Sequence, residues 1–237
     1  MQRITPVTAL YRGRDPRELP AYGVADAARF LRIPAATLRS WTVGRTYPRQ
    51  DGPASFEPLI RLAGADGRRL SFTNLVEAHV LRALRMQHGV PIRELRQAIG
   101  YAERQLGIER VLLSDDLWTH AGELFLGYYG DLISLSRSGQ LAMRRILEAH
   151  LRRVDRDEHT LPVRLYPFLT GSLSDGPKTV VIDPRVSFGR PVVAGSGVTT
   201  RVLAQRIDAG ETVDELAADY RIPRAAIEEA VIFEQAA

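Results

Sequence analysis

Thr37, Arg39 and Ser40 follow directly on the tripeptide Arg32-Ile33-Pro34, with Ala35 opening the same short segment and Trp41 closing it. Hydroxyls and a guanidinium at helical spacing supply the donors that read base edges and grip phosphates. Trp41 either joins this surface or anchors the helix in the core. More cations follow. Arg45 and Arg49 lie in a stretch broken by Gly44, Pro48, Gly52 and Pro53, which reads as a loop suited to backbone contacts. Arg61, Arg68 and Arg69 flank Gly64-Ala65-Asp66-Gly67, a turn signal between Leu59–Leu62 and Arg69–Phe72. A hairpin there, after two helices, would be a wing.

Catalytic chemistry finds no such support. The histidines at 79, 88, 120, 150 and 159 are scattered, without the spacing of a metal-binding helix. Gly195-Ser196-Gly197 has no base beside it, and Asp115-Asp116 reads as a solvated turn. No phosphate-cradling glycine loop is present, and zero cysteines exclude disulfides and thiolate metal sites. The expectation is a protein that is not an enzyme and uses no cofactor or metal.

The elements that must position the arginines show an internal repeat. Val24 to Leu38 and Val213 to Ile227 share an apolar residue, a small alanine (Ala28, Ala217), the tripeptide Arg-Ile-Pro and a second helix. That is helix-turn-helix patterning. The second helix of the first copy offers Thr37, Arg39 and Ser40, and that of the second copy offers Glu228, Glu229 and Glu234. Phosphates attract the first and repel the second. Charge follows the same division: net +8 over 1–110, −1 over 111–180 and −3 over 181–237. The front half is expected to touch nucleic acid, and the C-terminal copy to bind protein.

Further helices are predicted from Thr73 or Asn74 to about Gln87, and from Pro91 past Leu106. Val111–Leu113, Glu123–Leu126 and Asp131–Leu135 read as short strands. Residues 139–156 read as an amphipathic helix with Arg145, Arg152 and Arg156 on its polar face. Strands near 163–169 and 179–182 enclose a linker at 171–177, and helices run from Thr199 onward. The predicted class is α+β, mostly helical: a tail (1–20), a winged helix-turn-helix (21–110), a small central β-rich region (111–177) and a C-terminal helix-turn-helix-like module (178–237). No apolar run approaches the roughly 20 residues of a membrane span, and no signal-peptide pattern is present. A cytoplasmic protein without membrane contact is expected. One helix-turn-helix reads few base pairs, so a homodimer is expected too.

Tyr22 to Trp41, with Phe72-Thr73-Asn74-Leu75 and Val90 to Ile99, resembles the winged-helix head of MerR-type regulators. Ile182-Asp183-Pro184 through Phe188-Gly189-Arg190-Pro191 to Leu216-Ala217 resembles a small helix-turn-helix family of unknown function. Over roughly residues 20–235 the chain resembles a VapB-type antitoxin of a type II toxin–antitoxin pair. The resemblance implies operator DNA, autorepression and a VapC-type PIN-domain ribonuclease toxin as partner. Arg145, Arg152 or Arg156 could enter that toxin's carboxylate cluster. Two other readings remain open at this point. One is a stand-alone MerR-like regulator responding to a small ligand, with Trp118, Phe125, Tyr128 and Tyr129 lining a pocket. The other is an adaptor without DNA contact.

Overall fold

A computed structural model of the chain describes residues 11, 13–47, 54–56, 58–62, 69–85, 92–105, 107, 110–114, 117, 120–132, 137–168 and 176–235. The architecture is mostly helical with small antiparallel strand pairs, as expected. In chain order it runs β1 (Tyr22–Gly23), α1 (Val24–Leu31), α2 (Ala35–Thr42), β2 (Arg45–Tyr47), β3 (Ala54–Phe56), β4 (Arg69–Leu70), α3 (Phe72–Arg85), α4 (Ile92–Gln105), α5 (His120–Leu132), α6 (Arg137–Leu151), β5 (Val154–Arg156), β6 (Pro162–Leu165), β7 (Val180–Val181), β8 (Val192–Val193), α7 (Thr200–Asp208), α8 (Val213–Tyr220) and α9 (Arg224–Gln235). The strands pair as β1–β4, β2–β3, β5–β6 and β7–β8. No helix among the described residues is long and apolar enough to cross a membrane.

Helix α3 is the axis of the larger core. It is buried on every side from Phe72 to Leu84, including Glu77, His79 and Arg82, as befits a helix covered all round. Its cap is Ser71, not Thr73 or Asn74. The Asn74 backbone N–H donates to Ser71 Oγ at 3.2 Å and the Ser71 N–H donates to Asn74 Oδ1 at 3.1 Å, a reciprocal capping box that starts ahead of both residues the sequence suggested.

The expected strand Glu123–Leu126 is helix, as is the start of the one expected at Asp131–Leu135, whose residues 133–135 lie outside the described residues. Glu123–Leu126 and Asp131 both belong to α5, because Phe125, Leu126, Tyr129 and Leu132 recur at helical spacing and bury one face. Gly127 and Gly130 look like strand-ending turns in sequence. In the fold, a Cβ at Gly130 would lie 2.8 Å from Gln140 Cγ, so the glycine lets α5 and α6 approach. Val111–Leu113 is a turn. Phe125 and Tyr129 are fully buried core, and Tyr128 stacks on Tyr101 with centroids 4.1 Å apart. Phe125 and Tyr129 thus fill the core, whereas Tyr128 is exposed against Tyr101; Trp118 lies outside the described residues. Helix α6 stops at Leu151, five residues short of the expected end, and Arg156 sits on β5. The linker core at 171–175 also lies outside the described residues.

Where α3 crosses α6, two imidazoles meet. His79 Nε2 donates to the His150 carbonyl (3.0 Å), and His150 Nδ1 donates to the Ile146 carbonyl (2.9 Å). The carbonyl acceptors fix both tautomers. Phe168 packs on both rings, with the Arg82 and Arg153 guanidiniums over its own. Burial, then the neighbouring cations, holds His79 well below the ordinary histidine range and His150 down to about 4. An unfolded histidine takes a proton below about 6.5, whereas the folded pair resists it. Stability is therefore present above that pH and lost as pH falls toward 4. His150 alone should remove about 2 kcal/mol between pH 8 and pH 5, read as a falling urea midpoint. A midpoint flat across that range would show the imidazoles to be solvated.

Candidate nucleic-acid interface

Helix α1 buries Ala27, Ala28, Phe30 and Leu31 and ends at Arg32 in the left-handed region (φ 54°, ψ 44°). The Ile33 N–H then donates to the Ala28 carbonyl at 2.9 Å. A non-glycine residue there costs about 1 kcal/mol or more. Burial of Ile33 and a hydrogen bond from Arg32 Nη2 to the Phe233 carbonyl at 2.6 Å offset it. Burial, with Arg29 nearby, lowers the proton affinity of that guanidinium. The repeat is as close in geometry as in sequence. Helix α8 ends at Arg221 with φ 54° and ψ 41°, Ile222 is buried, and Pro223 leads into α9.

Leu38, Trp41 and Thr42 bury one face of α2. Trp41 is therefore the anchor of the helix, not part of its outer surface. Ala35, Ala36 and Arg39 are exposed, and Thr37 and Ser40 are half-buried. Ser40 Oγ donates to the Thr37 carbonyl at 2.7 Å, which leaves its lone pairs as acceptors. The outer face thus offers a long cation beside small residues that let a ligand come close. Ala36 belongs with this group and was missed.

The wing is not where the Asp66-Gly67 signal put it. The Leu59 and Ile60 N–H groups both donate to the Trp41 carbonyl (2.8 and 2.9 Å), closing the end of α2. They are not free to ladder with Arg69–Leu70, which pairs instead with β1: Tyr22 opposite Leu70, Gly23 opposite Arg69. The strand pair that directly follows α2 is β2–β3, with Arg45 opposite Phe56. Its signal was readable as Arg45-Thr46-Tyr47 and Ala54-Ser55-Phe56 on either side of Pro48 to Pro53.

The predicted arginines therefore separate into two groups. Arg39, Arg45 and Arg61 gather around α2 and its exit. Arg61 is exposed, and its carbonyl accepts from Asn74 Nδ2 at 3.0 Å. Arg69 is exposed at the start of α1, across from Gly23. Arg49 and Arg68 lie outside the described residues.

The second copy differs in what it shows. Glu228 is exposed and Glu229 half-buried, but Glu234 is not presented outward. It pairs with Arg29 of α1 and accepts from Thr200 Oγ1 at 2.5 Å. Phe233 stacks on Phe30 with centroids 6.1 Å apart. The end of α9 is thus an internal joint against the first copy. Arg145 is exposed on α6 and Arg152 in the turn after it. Arg156 is on neither; its Nη1 donates to the carbonyls of Leu113 (2.7 Å) and Thr160 (2.6 Å). The three do not share a helix face, because the helix ends before two of them. Among the described residues no group of three His, Asp or Glu side chains converges as a metal site.

Residues 20–99 match a family described as "Putative DNA-binding HTH domain", and residues 180–233 match one described as "Protein of unknown function (DUF433)". The chain is 31% identical over 223 residues to "Putative antitoxin VapB45" of Mycobacterium tuberculosis, covering 86% of this chain and 90% of that one. It is 28% identical over 227 residues to "Uncharacterized protein Rv2308" of the same organism, covering 89% and 88%. The crystal structure of Rv2018 from M. tuberculosis superposes with a TM-score of 0.64 at 25% identity, over 90% of this chain and 98% of that one.

Proposed function

The chain belongs to the family of the antitoxin VapB45, and from that premise we propose that it is the antitoxin of a type II toxin–antitoxin pair. It binds operator DNA through its N-terminal winged helix and represses its own operon. It binds and neutralises a VapC-type PIN-domain ribonuclease, and it has no catalytic activity of its own. The observation that carries the DNA half is α2. Its inner face is locked by Leu38 and Trp41, and its outer face presents Arg39 between small residues. A strand pair follows at once, as a winged reader requires. Thr37 and Ser40 lie on that helix and Arg45 and Arg61 follow it in the chain, with Arg49, Arg68 and Arg69 as backbone contacts. The reader acts as a cytoplasmic homodimer that addresses two half-sites. The toxin half rests on the family and on the acidic C-terminal module, which suits a protein partner better than phosphate. Arg145 and Arg152 are solvent-facing cations available to a toxin, whereas Arg156 is spent on backbone carbonyls.

The test is co-expression with the product of the adjacent gene, read as co-purification and rescue of growth, with operator binding measured in parallel. A tight complex that restores growth is expected. Arg39→Ala should weaken operator binding about 10- to 100-fold, and the salt dependence should flatten by about one counterion if Arg39 holds a phosphate. No complex with any toxic neighbour would sink the antitoxin reading. Unchanged operator affinity in Arg39→Ala would remove α2 as the reader.

A further inference from the structure

Between β7 and β8 the chain passes through Ser187, Phe188 and Gly189, all with left-handed φ: 47°, 55° and 75°. Backbone strain of this kind lasts only where the surroundings over-determine it. They do so here. Asp183 Oδ1 accepts from the Arg185 N–H (2.8 Å), and its carbonyl accepts from the Val186 N–H (3.0 Å). Arg164 Nε holds the same carboxylate at 3.1 Å. Tyr11 Oη donates to the Pro184 carbonyl (2.8 Å), and Ser187 Oγ to that of Gly197 (3.1 Å).

What this strain achieves is projection. Phe188 is 74% exposed, more than any other large apolar side chain among the described residues. A phenyl ring so placed contributes little to the fold. It stands at the rim of a groove of about 600 Å³, with exposed Arg190, Arg201 and Val202, and Tyr22 and Pro191 beneath. Aromatic and arginine side chains are the types that dominate protein-binding hot spots.

We propose that Phe188, Arg190 and Arg201 form the surface on which the toxin docks, by a segment that sets an apolar side chain beside a carboxylate. This rests on the antitoxin reading above. Charge selects the occupant. The module carries net −3 over residues 181–237, yet this patch presents two arginines, so an acidic protein segment complements it. Phosphates would meet Asp26 inside the groove and the module's net negative charge. A second copy joined by this patch across a two-fold axis would set arginines against arginines.

The experiment uses the full chain and the product of the adjacent gene. Affinity for that protein, affinity for operator DNA, oligomeric state and melting temperature are measured for wild type, Phe188→Gly and Arg190→Glu/Arg201→Glu. Expected are at least a 10-fold loss of affinity for the neighbour's product in both variants, with operator affinity and oligomeric state unchanged. Phe188→Gly should melt no lower than wild type, because it relieves the left-handed φ. A wild-type complex that both variants leave intact overturns the docking surface alone. Loss of operator binding or of self-association, with the complex intact, reassigns the patch to DNA or to a second copy and overturns it equally. A lowered melting temperature in Phe188→Gly makes Phe188 a structural residue and also overturns it. Absence of any complex with the wild-type chain overturns the antitoxin reading itself.

Discussion

Alanine in place of Gly189 lowers the free energy of unfolding by about 3 kcal/mol. Two independent costs combine. The residue sits at φ 75°, where a side chain is strained. Its new Cβ would also lie 2.2 Å from Tyr22 Oη and 3.1 Å from Tyr22 Cζ. The tyrosine cannot swing aside cheaply. Its ring is buried and packs edge-on against Phe30, with centroids 6.5 Å apart. Tyr22→Phe removes the nearest atom, so the double variant should recover part of the loss, about 1 kcal/mol, while the φ cost remains. The check is urea denaturation of the two single variants and the pair. Strict additivity would show that Tyr22 and Gly189 do not touch.

Phe233→Ala should cost about 3–5 kcal/mol, the range for removing a buried phenylalanine, and the loss should reach the opposite end of the sequence. Phe233 belongs to the core built on α3, not to the smaller one formed by Val193, Leu203, Leu216, Ile222, Ile227 and Ala230. It stacks on Phe30 and lies under the Arg32 guanidinium, 5.1 Å from its ring centre. Trp41, buried in the same core, reports the consequence. In a Trp118→Phe background its fluorescence midpoint should fall with the Phe233 substitution. A midpoint that stays put would mean that the two helix-turn-helix copies unfold independently.

Reading from sequence succeeded where the signal was local. The Arg-Ile-Pro repeat identified both helix-turn-helix units, and both turns use the same left-handed arginine. The apolar spacing of 72–85 and 92–105 located α3 and α4 to within a few residues. It failed where pairing is decided at a distance. Asp66-Gly67 is a good hairpin signal, but the backbone of Leu59 and Ile60 is taken by Trp41, and Leu70 finds Tyr22 instead. Glu123 to Leu132 carries glycines that end a strand on paper, yet the segment is helix and Gly130 serves a helix crossing in space. Phe188 gave no sign of its exposure, since a lone phenylalanine in sequence reads as core. The turn that carries it is built locally on Asp183 and held by Tyr11 and Arg164, which sequence spacing does not connect to it.

The joint between α9 and α1 also sets an order of events during synthesis. Arg32 and Phe233 are 201 positions apart, and the ribosome delivers them in sequence. The core that supports α2 therefore stays open on one side until Phe233 has emerged from the exit tunnel. Long-range closure of this sort is slow and comes late. A polypeptide released before Phe233 lacks the aromatic that seals Phe30, and so the stability of that core is tied to translation past this residue.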